Sequence, residues 1–564
     1  MQCDPFRPGD PDHITVPASI TRRGEAGKCS QVSARRSSCF VVRIPARIGL
    51  SVKNMATFGP GKAGGGGIGF PVSVYSSTRV TTFFRETNID LRDVVCRDKR
   101  GPVIQHHVGV FHAFPAHCGL GSTSGAALGT LHGMNYCLGE PFTREEVRQM
   151  LAVNYVEEHH GNPELVSYGY ETTMTAVGAN GGGFFVIQED SDMEVLARNC
   201  QAFKDFPVFI LSPDPDSASN NTGHVDEVSV LTEGAETDTV TDEAVKKSHL
   251  FMDVLVPQLS RGPDCDIAAV GAAVSALQLS GGKRVEVMRQ PNGPRIVGFM
   301  DAVRVGVEEA VVVGMSSVGP AIAVVCKPSP DLPRLCDKVV GVGKAFGIKL
   351  DFQSTVNTTG LVYTEQPLPK YVVVIGKPGV GKSTICAGSD MPHLAAGGYL
   401  RGFLAKNHDS HPQAALLQSR AAIIRDIMSK GEVMDRDNVT ATVLLEELCR
   451  LAATKPDSGT WLLDGFPRSD VQLRTLLDEY RLPVHCVVRV SASDEARRRR
   501  CAARTGRGSG VEPELGGRDM YDMTDSIAGS TAAHRGIRVV DIENNADGDS
   551  AGAAEALLRV VMQH

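Results

Sequence analysis

No run of about 18 uninterrupted apolar residues occurs in the 564-residue sequence, so none of its segments reads as a membrane-spanning helix. The final VMQH is not a prenylation box, and Met1-Gln2 is not a myristoylation start. We therefore expect neither a membrane span nor a lipid anchor. Fourteen cysteines run from Cys3 to Cys501 without a C-x-x-C pair or a regular spacing. This argues against a zinc cage and a disulfide framework and favours a reduced, cytoplasmic setting. Excess positive charge is also missing: 65 acidic residues outweigh 58 basic ones, for a net charge of -7. With one Trp and 5% aromatics, there is little to gather or stack nucleic acid, so no nucleic-acid partner is expected. What remains is 42% hydrophobic and 22% charged, the composition of a globular protein with two to four domains at roughly 150 residues each. The oligomeric state is not readable from these features.

Residues 1–40 mix Pro, Gly, Ser and Arg without apolar periodicity and read as a disordered extension. An organelle transit peptide is the alternative, against which Asp4, Asp10, Asp12 and Glu25 count. Residues 41–362 alternate apolar segments such as GFFVIQE with helical spacing such as REEVRQMLAVNYV, the pattern of a mixed α/β domain. Within them, residues 212–248 carry nine acidic residues against two lysines and read as a mobile surface insertion. The two prolines of TEQPLPK mark a linker, residues 363–370, before a second domain, residues 371–564.

The second domain opens with the apolar strand YVVVI and then GKPGVGKS, Gly376 to Ser383, the G-x-x-x-x-G-K-[ST] phosphate loop in its required context. Gly376, Gly379 and Gly381 let the backbone turn its N–H groups toward phosphate, Lys382 adds a point charge, and Ser383 and Thr384 open the following helix. Further on, WLLDGFPRSDVQ is a second apolar strand ending in Asp464, with a Gly-Phe-Pro turn, Arg468 and Gln472. Together with HLAAGGYLR ending at Arg401 and IMSKGEVMDRD, these pieces resemble the adenylate kinases and related nucleoside monophosphate kinases, in the family's order. The resemblance implies ATP with Mg²⁺ as cofactors. It implies Arg401 and Arg468 as a clamp on the acceptor monophosphate, Gln472 on the acceptor base, and Asp464 with Ser383 at the metal. Arg497 to Arg500, Arg504, Arg507 and Arg518 would lie on a closing lid. The chain departs from the family pattern where Ala395-Ala396-Gly397 replaces its hydroxyl residue and Gly-Asp. A nucleotide-binding module without turnover therefore stays open beside the kinase.

The first domain has a second glycine-rich turn, Gly119-Leu120-Gly121-Ser122-Thr123-Ser124, entering a helical run. Small residues at a helix start let backbone N–H groups wrap an anion. PARIGL (45–50) precedes it, and GMSSVGPAIAVV (314–325), with Ser316, Ser317 and Gly319, follows. In that order the three resemble the signatures of the GHMP kinase superfamily over about residues 41–360. Within it, GGGGIGF, HCGLGSTSG, GGGFFV and SSVGP are most similar to β-ribofuranosylaminobenzene 5'-phosphate synthase. That likeness implies phosphoribosyl pyrophosphate and an aromatic acid as substrates. Where the kinases carry a carboxylate after Ser-Gly, this chain reads Ser167-Tyr168-Gly169-Tyr170-Glu171, with the acid one residue late. This favours the synthase branch over a small-molecule kinase. His106, His107, His112, His117, His159 and His160 form no matched metal-ligand set, and only His117, beside the glycine turn, is a candidate for the site.

The expected fold class is thus α/β and α+β: a GHMP-superfamily fold, of the ribosomal protein S5 domain 2-like type, followed by a three-layer α/β/α P-loop domain with a parallel sheet. The expected partners are nucleotides and phosphorylated small molecules.

Overall fold

In the computed structural model the described residues are 38–57, 59, 63–84, 104–115, 118–140, 142–159, 162–168, 171–189, 194–214, 227–406, 414–430, 439–455, 458–479, 482–505, 537–545 and 551–562. Strands β1 (Ser38–Ser51), β2 (Gly67–Phe84), β3 (Ile104–His112), β6 (Phe184–Ile187), β7 (Val195–Asn199) and β12 (Val362–Gln366) form one antiparallel sheet. Its order is β12-β1-β2-β6-β7, with β3 also on β2. Strands β4 (Val156–His159) and β5 (Asn162–Tyr168) make a separate ribbon. Strands β8 (Pro207–Pro213), β9 (Ala310–Met315), β10 (Ile322–Cys326) and β11 (Ile348–Thr355) form a second antiparallel sheet in the order β11-β8-β10-β9. The last sheet is parallel: β13 (Lys370–Ile375), β14 (His393–Ala395), β15 (Thr460–Asp464), β16 (Val484–Ser491) and β17 (Arg538–Glu543), ordered β14-β15-β13-β16-β17. The sheets and their alternation with helices match the fold class expected from the sequence.

The antiparallel half is built around the helix Ser122–Cys137, which lies on β1 and β2. Gly125, Gly129 and Gly133 recur every four residues and so share one face. Methyl groups there would stand 3.1 Å from Ser76 Oγ, 2.4 Å from Thr78 Oγ1 and 2.4 Å from Val80 Cγ2. The glycine stripe is what lets helix backbone and sheet meet. In the parallel half, Val372, Val373 and Val374 are fully buried, as a strand covered on both faces by helices requires.

Three segments differ from the sequence reading. Residues 363–366, read as linker, belong to β12, which pairs with β1 from Cys39↔Gln366 to Arg43↔Val362. Pro367 and Pro369 lack the N–H that would continue the ladder, so the connection shrinks to the few residues before β13. The acidic stretch 212–248 also departs from a mobile insertion. Its residues 215–226 lie outside the described residues, but Glu227–Asp238 and Thr241–His249 are helices. Asp238 and Lys247 are a buried pair at 2.8 Å, so two of the charges that looked solvated are interior. Of the expected disordered extension, residues 1–37 lie outside the described residues and Ser38–Phe40 already belong to β1.

The two halves touch. The helix Val439–Thr454 of the parallel half packs on β3 and β2. Buried Arg79 of β2 donates from Nη1 to Ala452 O (3.3 Å), a carbonyl in the last turn of that helix, and from Nε to Cys39 Sγ (3.2 Å). A cation at a helix C-terminus meets carbonyls that have no partner within the helix. Among the described residues, no helix is long and apolar enough to cross a membrane.

His132, on the helix Ser122–Cys137, is fully buried and neither ring nitrogen has a partner. Burial, with the Arg144 charge adding, pulls its pKa from 6.5 down to about 4. The unfolded chain therefore binds the proton first as pH falls. Stability is full above pH 6.5 and is lost between 6.5 and about 4, by about 3 kcal/mol. Denaturant unfolding from pH 7 to 4 should show this slope for the antiparallel half. His132→Phe should flatten it, and an equal slope in both chains would contradict the assignment.

Candidate nucleotide and polyphosphate sites

Strand β13 is central in the parallel sheet, and the chain leaves its carboxyl end at Gly376, where ligands bind in open α/β sheets. The loop closes at Gly381, whose φ of 93° suits glycine and whose Cβ would stand 2.6 Å from Asn544 Nδ2. The helix Lys382–Gly388 then begins, with Ser383 and Thr384 exposed in its first turn. Lys382 Nζ donates to Gly376 O and, at 3.1 Å, to Lys377 O, so the ammonium arches over the loop.

A loop that turns its N–H groups toward an anion turns carbonyls the other way, and those need donors. Arg497 Nε donates to Pro378 O (3.1 Å) and Arg500 Nη1 to Gly379 O (3.4 Å) and Val380 O (3.3 Å). Asn544 Nδ2 donates to Val380 O (2.8 Å), and Arg500 Nη2 to Asn544 O (3.0 Å). Arg497 and Arg500 sit on the helix Asp494–Thr505, where the sequence reading placed lid arginines. The structure seats these two beneath the phosphate loop instead. Asn544, at the end of β17, was missed; a lone Asn after a strand carries no motif. The side chain of Arg504 and the whole of Arg507 and Arg518 lie outside the described residues.

Asp464 ends β15, beside Val374 in the parallel register, and is 4% exposed. Burial pushes the Cys386 thiol up to about 12, with the Asp464 charge adding and Lys382 opposing. A Cβ on Gly465 would lie 3.8 Å from Lys382 Cε and 3.9 Å from Arg468 Nη2. A Cβ on Gly397 would lie 3.4 Å from Arg401 Nη1 and 3.9 Å from Arg468 Nη2. Lys382, Arg468 and Arg401 thus surround one region beside Asp464, from three separate segments of chain. Gln472 also supports the arginine. It is buried, its Oε1 accepts from Arg468 N (2.8 Å), and it fixes the loop that carries the arginine.

In the antiparallel half, Gly119 has φ 88° and a Cβ on it would meet Ser316 O at 2.3 Å. A Cβ on Gly319 would lie 2.1 Å from Gly119 N, so the two turns lie backbone against backbone. Ser316 is fully buried: its Oγ donates to Gly119 O (2.7 Å) and accepts from Gly49 N (3.0 Å). The expected ligand contact from Ser316 is therefore corrected to a brace, because both its hydrogen-bonding directions are used internally. Ser317 N donates to Gly49 O (2.8 Å). After Gly121 the helix begins with Ser122 and Ser124 buried and Thr123 exposed, and Ser124 Oγ meets Thr175 Oγ1 at 2.8 Å.

Sequence reasoning passed over Arg47, inside PARIGL. Its Cγ and Thr175 Oγ1 would stand 2.9 and 3.0 Å from a Cβ on Gly121, and its Nε is buried without a partner. The available signal was a lone cation within the segment PARIGL. Glu171 is 5% exposed and its Oε1 accepts from Thr173 N (2.5 Å). His117 and the side chains of His106, His107, His159 and His160 lie outside the described residues. His112 Nδ1 pairs with Ser76 Oγ at 2.7 Å.

The parallel half is therefore a P-loop nucleotide-binding domain. Residues 375–514 match the family model of an AAA domain, and residues 92–183 that of the GHMP kinases N terminal domain. An adenylate kinase of Parasynechococcus marenigrum (strain WH8102) is 34% identical over 140 residues, 24% of this chain and 68% of that protein. One from Prochlorococcus marinus (strain MIT 9303) is 32% identical over 130 residues, and the chain spans 62% of its length. Through this C-terminal half the chain belongs to the adenylate kinase family. Among solved structures, homoserine kinase from Cytophaga hutchinsonii aligns with 58% of this chain and 98% of its own, at 14% identity and TM-score 0.42. At that identity and score it fixes neither substrate nor reaction.

Arg497→Met removes the donor to Pro378 O and should weaken binding of a nucleoside triphosphate by calorimetry roughly tenfold. An unchanged affinity would contradict the bracing of the loop from below.

Proposed function

We propose that the C-terminal half transfers the γ-phosphoryl group of ATP to a nucleoside monophosphate. The observation that carries this is the convergence of Lys382, Arg468 and Arg401 on one region beside the phosphate loop. In the step, an oxygen of the acceptor monophosphate bonds to the γ-phosphorus as the bond to the β-phosphate bridging oxygen breaks, leaving two diphosphates. The reaction needs little covalent help and much positive charge aimed from several sides. Lys382 would hold the transferred group, while Arg401 and Arg468 orient the acceptor with planar forks suited to phosphate. Ser383 and Asp464 are hard oxygen donors near the phosphate site, a set that suits Mg²⁺ held together with nucleotide phosphates. The ion would neutralise charge on the bridging and terminal oxygens.

For the N-terminal half we infer a polyphosphate site at Gly119–Ser124, with Arg47 as its cation. We read its ligand as phosphoribosyl pyrophosphate. The order of its glycine and serine motifs supports this, as does a Glu171 carboxylate already engaged by the backbone of Thr173 instead of being offered as a base. Only nucleotides and phosphorylated small molecules are proposed as partners.

With ATP, Mg²⁺ and each monophosphate, the full chain should form diphosphate. Arg401→Ala and Arg468→Ala should each lower turnover by roughly 10²-fold, and Lys382→Ala should abolish it. ATP binding without any diphosphate would identify a non-catalytic nucleotide-binding domain instead. For the other half, pyrophosphate release from phosphoribosyl pyrophosphate with an aromatic acid is expected. ATP-dependent phosphorylation of a metabolite in its place would overturn that reading in favour of a small-molecule kinase.

A further inference from the structure

The helix Gly281–Met288 carries a lysine with no exposure at all. Lys283 Nζ donates to Glu286 Oε2 (2.6 Å) and to Ser317 O (2.9 Å). Just beyond that helix, Gln290 Nε2 donates to Val318 O (2.5 Å). Both acceptors belong to the turn Ser316–Gly319, which lies against Gly119 and is tied to it through Ser316 Oγ. Removing a buried ion pair in favour of apolar groups of similar volume is often neutral or stabilising. Stability alone is therefore a weak reason for a Lys283–Glu286 pair. Its remaining partner, a carbonyl of the turn under the anion loop, is a stronger one.

The first two residues of the same short helix are held as well. Asp238, 3% exposed, accepts from Gly282 N (2.8 Å), Met55 N (2.9 Å) and Lys247 Nζ (2.8 Å), while Glu243 accepts from Gly281 N (2.8 Å). Met55 lies four residues after β1, the strand that carries Arg47 and Gly49. Its Sδ is 2.5 and 2.4 Å from where methyl groups on Gly234 and Gly282 would sit. Both helices of the acidic segment thus grip the start of the helix that bears Lys283.

We propose that Lys283 is a positioning residue for the N-terminal anion loop, with the helix pair Glu227–Asp238 and Thr241–His249 as its anchor. Its contacts run from Asp238 through Gly282 and Lys283 to Ser317, Ser316 and Gly119. Lys283 itself is sealed from any ligand. It sets where the peptide groups of Gly119 to Gly121 stand, so its loss changes affinity without removing a ligand contact. This inference rests on the polyphosphate reading of Gly119–Ser124.

The test uses the full chain carrying Lys382→Ala, with Mg²⁺-pyrophosphate as probe, calorimetry for affinity and thermal melting for the fold. Parent and variants are compared in that background. Lys283→Met with Glu286→Met removes the pair as a unit and should melt within a few degrees of the parent, while pyrophosphate affinity falls roughly tenfold. Gln290→Leu leaves the pair intact and should lower affinity by a few-fold, which keeps the test decisive if the double variant fails to fold. Arg47→Ala should abolish binding and so locates the probe. Unchanged affinity in Gln290→Leu, or in a folded double variant, while Arg47→Ala loses binding, overturns the positioning role. Absence of binding in the parent, or binding that survives Arg47→Ala, instead overturns the polyphosphate reading on which it stands.

Discussion

A peptide loop can present its amide hydrogens to an anion only if its carbonyls are satisfied on the opposite side, and both glycine-rich turns of this chain are organised around that requirement. In the parallel half the carbonyls of Pro378, Gly379 and Val380 take donors from Arg497, Arg500 and Asn544. In the antiparallel half the Gly119 carbonyl takes the hydroxyl of Ser316, and the turn bearing Ser316 is held by Lys283 and Gln290. One solution uses guanidinium and amide groups from the far end of the domain, the other a buried hydroxyl with a buried lysine behind it.

The two halves also share a packed boundary. Arg79, on β2, is buried and binds a last-turn carbonyl of the helix Val439–Thr454. After that helix the chain re-enters the parallel sheet at β15, the strand that ends in Asp464. The sheet of one half therefore supports an element immediately upstream of the other half's site. Fusion here is a packed contact as well as a covalent one.

Much of this was legible in the sequence, for reasons that differ by element. YVVVI followed by GKPGVGKS specifies strand, turn and helix together, because a both-face-buried strand and a phosphate loop each leave a strong local pattern. Arg401 and Arg468 were identified from family order, and the fold brings them to one place. The functions of Arg497, Arg500 and Ser316 were not legible, since whether a polar side chain faces ligand or backbone depends on contacts far along the chain. The acidic stretch 212–248 misled for the same reason. Charge composition reads as solvation until a partner such as Lys247 is placed opposite Asp238. Arg47 lay inside PARIGL, which was read as a motif strand without a role for its one cation.

The central claim is that one chain holds two separate polyphosphate sites built mainly from main-chain amides. It is tested most directly by the stoichiometry of inorganic triphosphate binding to the full chain, measured by calorimetry with Mg²⁺ present. The account predicts two sites per chain, one lost on Lys382→Ala and the other on Arg47→Ala. A single site, or two sites indifferent to both substitutions, would contradict it.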